Sequence, residues 1–370
     1  MKQKMTLVIG SLRVGGAERV CVTLANELAE LGYNVDLVVL GLRDATMQAD
    51  LTSKVNLVDL RVDHARNSFF HLARYLKHSL PKTVLSFNGE ISAILGVIRI
   101  IYSIKFKLVS RAINFMSLAS SSKKGLWYGV ITKFMVRKLY SLSDAFIAQS
   151  KAMAEDLEKY LGLDKQKITV INNPVSKIIE TDDAKCNLKN QHNDDYLLCV
   201  GKLEKQKAFH YAIEAFAITA KQNPLLKLKI VGKGSLESEL KEYAIKYGVA
   251  DRVEFEGYQA DLINYYLHAR ATVLTSLYEG FPNVLTESIT LGTPVVSFDC
   301  PSGPGEIIED GVNGYLVRYK DLEHLLECIQ KVLEKQWDTL KVKKSANKFK
   351  SDVIVQDYIK VLTAELDDND

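Results

Sequence analysis

The stretch Thr6–Leu40, TLVIGSLRVGGAERVCVTLANELAELGYNVDLVVL, decides how the chain folds. Thr6–Ile9 is a short apolar run that stops at Gly10. After the pair Gly15-Gly16, the residues Val20, Leu24 and Leu28 recur at helical spacing as far as Gly32, and Val35–Leu40 reads as a second buried strand. Strand, helix and strand at these lengths make a βαβ unit with glycines at the strand-to-helix turn. Glycine there lets a backbone amide approach a ligand phosphate closely. A tight turn with no ligand explains the pair equally well. The G-x-G-x-x-G spacing of a dinucleotide site is absent, and no acid closes the second strand at Leu40-Gly41-Leu42.

The same alternation continues on both sides of one composition shift. Val55–Leu60, Thr83–Phe87, Lys107–Ser110, Asp144–Ser150 and Ile168–Ile171 read as strands, with helices at Phe69–His78 and Lys151–Leu161. Residues 176–195 are polar and charged, which marks a linker. A second βα series starts at Tyr196, so 370 residues divide into domains at 1–175 and 196–350, with a helix at 351–370 able to cross back to the first domain. Parallel, doubly wound sheets follow from this pattern in both halves. Five scattered cysteines (Cys21, Cys186, Cys199, Cys300, Cys328) indicate a reducing compartment and argue against a disulfide framework or a zinc site. His64, His71 and His78 are seven apart, too far along a helix to share a metal. The apolar start is too short for a signal peptide, and Ile91–Ile104, broken by Arg99, is too short to span a bilayer. A cytoplasmic chain is expected.

Charge is uneven. Residues 1–180 carry 25 Lys+Arg against 15 Asp+Glu, and the remainder 23 against 30. Between Glu90 and Asp144 there are nine Lys/Arg and no acid, interleaved with Tyr102, Phe106, Phe115, Trp127, Tyr128, Phe134 and Tyr140. The basic aromatic stretch 99–140 suits an anionic membrane surface, although a core-facing helix with a solvated basic side fits it slightly better. No nucleic-acid motif accompanies it, and nucleic acid is ranked last. Asn88, Arg111 and Asn114 follow strand ends, where open α/β sheets place ligand groups.

The second half concentrates its chemistry in Leu277–Gly292, LYEGFPNVLTESITLG. Glu279 and Glu287 stand eight apart. Between them, Pro282 is expected at the first position of a helix whose free amides and dipole make an anion site. Lys202 and Lys207 lie on the loop after the strand Leu197–Val200, placed to bracket a diphosphate. Each lysine taken alone reads as a solvated surface residue; with the glutamate pair the phosphate reading is the stronger one. Gly201, Gly232 and Gly234 again sit at strand ends.

On these residues the chain resembles the retaining glycosyltransferases of family 4. The likeness runs through GGAER (Gly15–Arg19), NNPV (Asn172–Val175), VGKLEKQK (Val200–Lys207), EGFPNVLTE (Glu279–Glu287) and CPSGPGEII (Cys300–Ile308). The resemblance implies an α/β GT-B fold, with two Rossmann-like domains facing each other across a cleft. It implies transfer of a hexose or N-acetylhexosamine from a UDP-sugar to a hydroxyl of a lipid-linked glycan or surface polysaccharide precursor. The enzyme would sit peripherally on the inner face of the cytoplasmic membrane. By the same resemblance Glu279 meets the donor sugar, Glu287 the ribose hydroxyls, and Lys202 and Lys207 the leaving diphosphate. Gly15, Gly16, Gly201, Gly232, Gly234, Gly280, Phe281, Pro282, Asn283, Val284 and Leu285 complete the donor site. No metal or other cofactor is implied, since the lysines supply the positive charge. Asn88, Arg111 and Asn114 are the acceptor-side candidates. Two departures stand out: Gly201-Lys202-Leu203 replaces the family's usual G-R-L, and no histidine is placed in the N-terminal cleft. A sugar-nucleotide 2-epimerase, a soluble disaccharide synthase and an inert nucleotide-sugar-binding subunit are the competing readings.

Overall fold

A computed structural model describes residues 2–13, 15–112, 138–181 and 195–365. Asn114 and residues 113–137 of the basic aromatic stretch lie outside the described residues, as do residues 182–194 of the expected linker. The chain divides into two compact units, Met1–Pro174 with Ser351–Asp370, and Val175–Lys350.

The first unit holds β1 (Lys4–Ile9), β2 (Asn34–Val39), β3 (Asn56–Asp59), β4 (Thr83–Ser86), β5 (Lys107–Arg111), β6 (Ala145–Ala148) and β7 (Ile168–Val170). They form one sheet in the order β3-β2-β1-β4-β5-β6-β7, and every neighbouring pair is parallel. The strands are mostly apolar because both faces are covered. Leu7, Ile9, Leu37, Val39, Leu85 and Val109 pack with helix Gly16–Glu30 on one face. Val8, Val38, Val84 and Leu108 pack with helices Phe69–Ser79 and Gly89–Tyr102 on the other.

The second unit repeats the scheme with β8 (Tyr196–Val200), β9 (Lys227–Val231), β10 (Val253–Gly257), β11 (Ala271–Leu274), β12 (Val295–Phe298) and β13 (Gly314–Val317). Its order is β10-β9-β8-β11-β12-β13, again parallel throughout. Helices Phe209–Thr219 and Leu322–Glu334 cover one face, and Ile263–His268 with Asn283–Thr290 the other. In each sheet the winding direction reverses once, between β1 and β4 and between β8 and β11. Loops diverge there at the strand C-termini and open a crevice for ligands.

Helix Ser351–Thr363 belongs to the first unit. Ile354, Val355, Tyr358 and Leu362 complete the core beside Leu24 and Leu28. Lys107 Nζ donates to the carbonyls of Val361 and Ala364, both at 2.8 Å, a cation at a helix C-terminus. Arg111, expected to face an acceptor, is instead 1% exposed. Its Nε donates to Tyr358 Oη at 2.9 Å and its Nη2 to Asn173 Oδ1 at 2.5 Å, and the guanidinium lies 5.3 Å from the Phe87 ring centroid. Nη1 makes no hydrogen bond among the described residues. Arg111 therefore ties β5 to the point where the chain leaves this unit and to the helix by which it returns. Tyr358→Phe leaves Nε buried and unpaired. It should lower stability by about 2 kcal/mol, seen as a reduced urea midpoint at unchanged slope.

Candidate active site

Three loops meet at the C-terminal edge of the second sheet. The loop after β8 runs from Gly201 to Ala208, the loop after β11 from Thr275 to Pro282, and the loop after β12 from Asp299 to Gly303. The first two are joined by backbone and side chain: Leu277 N–H donates to Gln206 C=O, and Gln206 Nε2 to Tyr278 C=O. The third braces the second. Glu279 N–H donates to Pro301 C=O, and Ser302 Oγ to Gly280 C=O. Gly303 has φ +96°, and a Cβ there would stand 2.5 Å from Pro282 Cδ.

Across the β8–β11 crevice, Lys207 Nζ and Glu279 Oε1 form an ion pair of 2.6 Å. The two side chains are 16% and 9% exposed, so solvent screens the pair little. Oε1 also accepts from Ser276 Oγ at 2.5 Å. An ammonium has three protons; Glu279 takes one, which leaves two for a ligand anion. Lys202 is exposed on the same loop and makes no ion pair among the described residues. Cys300 lies close enough to feel both charges. Burial, reinforced by Glu279, pushes its thiol up to about 12 against the opposing pull of Lys207. It stays protonated at working pH and is no nucleophile.

Helix Asn283–Thr290 starts one residue later than the sequence suggests. Pro282 is the cap residue, with ψ 93°, and gives no side-chain hydrogen bond to the helix start. Gly303 leaves room there: an added Cβ would stand 2.5 Å from Pro282 Cδ and 3.2 Å from Phe281 Cα. Leu285 N–H closes back on Pro282 C=O. Phe281 is 5% exposed and packs edge-on against Phe349, so it contributes backbone rather than ring to the surface. Glu287 is 4% exposed on the second turn, and its Oε2 accepts from Tyr266 Oη at 2.9 Å.

The glycines have a mechanical role. Gly201 has φ +155°, and the Lys207 stem lies over it, 2.9 Å from where a Cβ would stand. Gly232 has φ +145°, and its Cβ would fall 1.9 Å from the Gly201 carbonyl oxygen; that of Gly234 would fall 2.3 Å from the Leu203 oxygen. The two loops are stacked backbone on backbone, with Leu203 N–H donating to Lys233 C=O.

In the first unit, Gly15 caps helix Gly16–Glu30 from an extended conformation. The Glu18 carboxylate lies where a Gly15 side chain would be, 2.1 Å from the built Cβ. The chain's own anion is thus beside the helix start assigned to a ligand phosphate. Asn88 is half-buried after β4 and caps helix Gly89–Tyr102, accepting from Glu90 N–H. Sequence reasoning passed over Thr275, Ser276 and Tyr266. The available signal was two hydroxyls ending the otherwise apolar run ATVL.

Two Rossmann-like units of this kind, each with loops converging at a switch point, have the architecture of the GT-B class. A family model described as Glycosyltransferase Family 4 matches residues 14–177, and one described as Glycosyl transferases group 1 matches residues 180–351. The chain belongs to this glycosyltransferase family. It is 27% identical to the amylovoran biosynthesis glycosyltransferase AmsD of Erwinia amylovora, over 87% of this chain and 88% of the relative. It is 26% identical to the Campylobacter jejuni N-acetylgalactosamine-N,N'-diacetylbacillosaminyl-diphospho-undecaprenol 4-alpha-N-acetylgalactosaminyltransferase, over 90% of each chain. The crystal structure of Anabaena HepE in complex with UDP superimposes with a TM-score of 0.78 at 18% identity, covering 98% of this chain and all of that one.

Proposed function

We propose that this glycosyltransferase moves a hexose or N-acetylhexosamine from a UDP-sugar to a hydroxyl of a lipid-linked glycan or surface polysaccharide precursor, with retention at the anomeric carbon. The observation that carries the reading is the Lys207–Glu279 pair at the β8–β11 crevice. One oxygen of Glu279 is committed to the protein and the other is left for a sugar hydroxyl. The free protons of Lys207, the ammonium of Lys202 and the amides of Asn283 and Val284 converge on the leaving diphosphate. Fixed charges and dipoles of this kind stabilise charge that develops as the bond to the sugar breaks. A donor phosphate oxygen takes the acceptor proton, so no side-chain base is needed, and the lysines provide the charge that a metal ion supplies elsewhere. Glu287 binds the ribose hydroxyls. The names of the Erwinia and Campylobacter relatives support a glycan acceptor, and UDP in the Anabaena structure supports the donor class.

The test is a screen of UDP-sugars against lipid-diphosphate-linked acceptors, with EDTA present, read by mass and by the anomeric coupling of the product. Transfer in EDTA with retained configuration is expected. Absence of any transfer product removes the assignment, and UDP-GlcNAc turnover without acceptor favours an epimerase.

The acceptor's lipid calls for a membrane surface, and we place the protein on the inner face of the cytoplasmic membrane. Among the described residues no helix is long and apolar enough to cross a membrane. Residues 64–143 carry 13 Lys/Arg and one acid, Glu90. Phe70, Ile100 and Ile101 are 74%, 61% and 60% exposed; Arg74 and Lys77 are exposed on the helix of Phe70, and Lys105 in the loop after the helix of Ile100 and Ile101. Apolar side chains among cations fit an anionic interface. The protein should sediment with phosphatidylglycerol vesicles at low salt and be released at high salt; binding that ignores salt, or none, removes the membrane placement.

A further inference from the structure

Resting on that reading of the site, we infer that Thr275-Ser276 is a positioning element, with Ser276 turning Glu279 so that one carboxylate oxygen is kept for the donor sugar. Both residues are fully buried at the end of β11, the central strand beside the crevice, and they act on opposite partners of the ion pair. Thr275 Oγ1 lies 3.1 Å from the carbonyl oxygens of both Lys207 and Ala208. Ala208 is held at φ 45°, a left-handed conformation that is strained for a non-glycine residue. That hydroxyl therefore fixes the backbone from which Lys207 springs, at a place where the chain would otherwise relax. Ser276 Oγ donates to Glu279 Oε1, the atom that also accepts Lys207 Nζ.

Two donors on one oxygen define the carboxylate plane. A lone ion pair leaves the carboxylate free to rotate and to exchange its two oxygens at the ammonium. The serine removes that freedom, and Oε2 is left as the acceptor that a sugar hydroxyl meets. The contribution is orientation of a group before the substrate arrives, not contact with the reacting atoms.

The expected signature is specific. UDP lacks the sugar and touches the diphosphate side, so Ser276→Ala should bind UDP within about twofold of wild type. Its kcat for the UDP-sugar that wild type turns over should fall about ten- to a hundredfold, the worth of a hydrogen bond to a charged group. The extra affinity of intact UDP-sugar over UDP should shrink with it. Ser276→Cys, which keeps the shape and a weak donor, should fall between the two. The measurements are calorimetric titration with UDP and with the UDP-sugar, steady-state turnover, and a melting curve for each variant. An unchanged kcat in Ser276→Ala overturns the inference. So does a loss of UDP affinity in step with a lowered melting temperature, since that is the mark of a purely structural residue. A wild-type protein that turns over no UDP-sugar overturns the proposed function itself, an outcome visible in the same experiment.

Discussion

Glu279→Gln should reduce transfer about a thousandfold while the protein folds and binds UDP at least as well as before. The amide keeps the shape and one oxygen, which can still accept from Lys207 and Ser276. What it loses is the negative charge. Lys207 is then no longer neutralised at 2.6 Å, so its attraction for a diphosphate rises and UDP affinity should hold or increase. On the proposed reading, the donor sugar then meets a neutral group where wild type offers a carboxylate, and the positive charge that develops at the anomeric carbon is no longer offset by it. Both kcat and the extra affinity of UDP-sugar over UDP should fall, because the carboxylate meets a sugar hydroxyl in the bound state and the developing charge in the transition state. Turnover near the wild-type rate would show that Glu279 does not serve the reaction.

Gly232→Ala should be the most damaging single methyl in the second unit. A Cβ there would fall 1.9 Å from the backbone oxygen of Gly201, and the residue has φ +145°. Neither problem is relieved by a rotamer change, because both partners are main chain. Conformational strain and overpacking together should cost about 3 kcal/mol. The displaced loop is also the one that bears Lys207, whose stem lies over Gly201. The melting temperature should fall by several degrees, and UDP should bind about tenfold more weakly, since the loop's ammonium moves by part of an ångström. Gly248→Ala is the control. It has φ +69° with nothing within 4 Å of the built Cβ, so it should cost only about 1 kcal/mol and leave UDP binding intact. Equal effects of the two variants on UDP affinity would refute the stacked-loop explanation.

The doubly wound fold was legible because parallel strands buried on both faces leave apolar runs such as Leu37–Leu40 and Tyr196–Val200. The glutamates and lysines were legible because polar residues cluster at the ends of those runs. Sheet order was not. Lys207 and Glu279 lie 72 positions apart and meet because β11 pairs with β8, a fact that periodicity does not encode. Arg111 was misread for a similar reason. A strand-terminal arginine looks like surface, and what buries it is Tyr358, 247 residues further on. The glycines after β8 and β9 suggested close ligand approach; the distances instead describe one loop lying on another. Pro282 stands at the cap of its helix, one residue before the first helical position where its sequence pattern places it.

The first unit is discontinuous in sequence, and this orders events at the ribosome. Leu24 and Leu28 are made early, but Ile354, Val355, Tyr358 and Leu362, which close the core over them, are made only after Val175–Lys350. At ordinary elongation rates that interval is on the order of ten seconds. During it, Arg111 lacks the hydroxyl of Tyr358 and a broad apolar surface stays open on the nascent chain. The second unit, contiguous in sequence, is free to finish first. The half of the molecule synthesised first is therefore the half that matures last, and it is the half with the greater need of a holding chaperone.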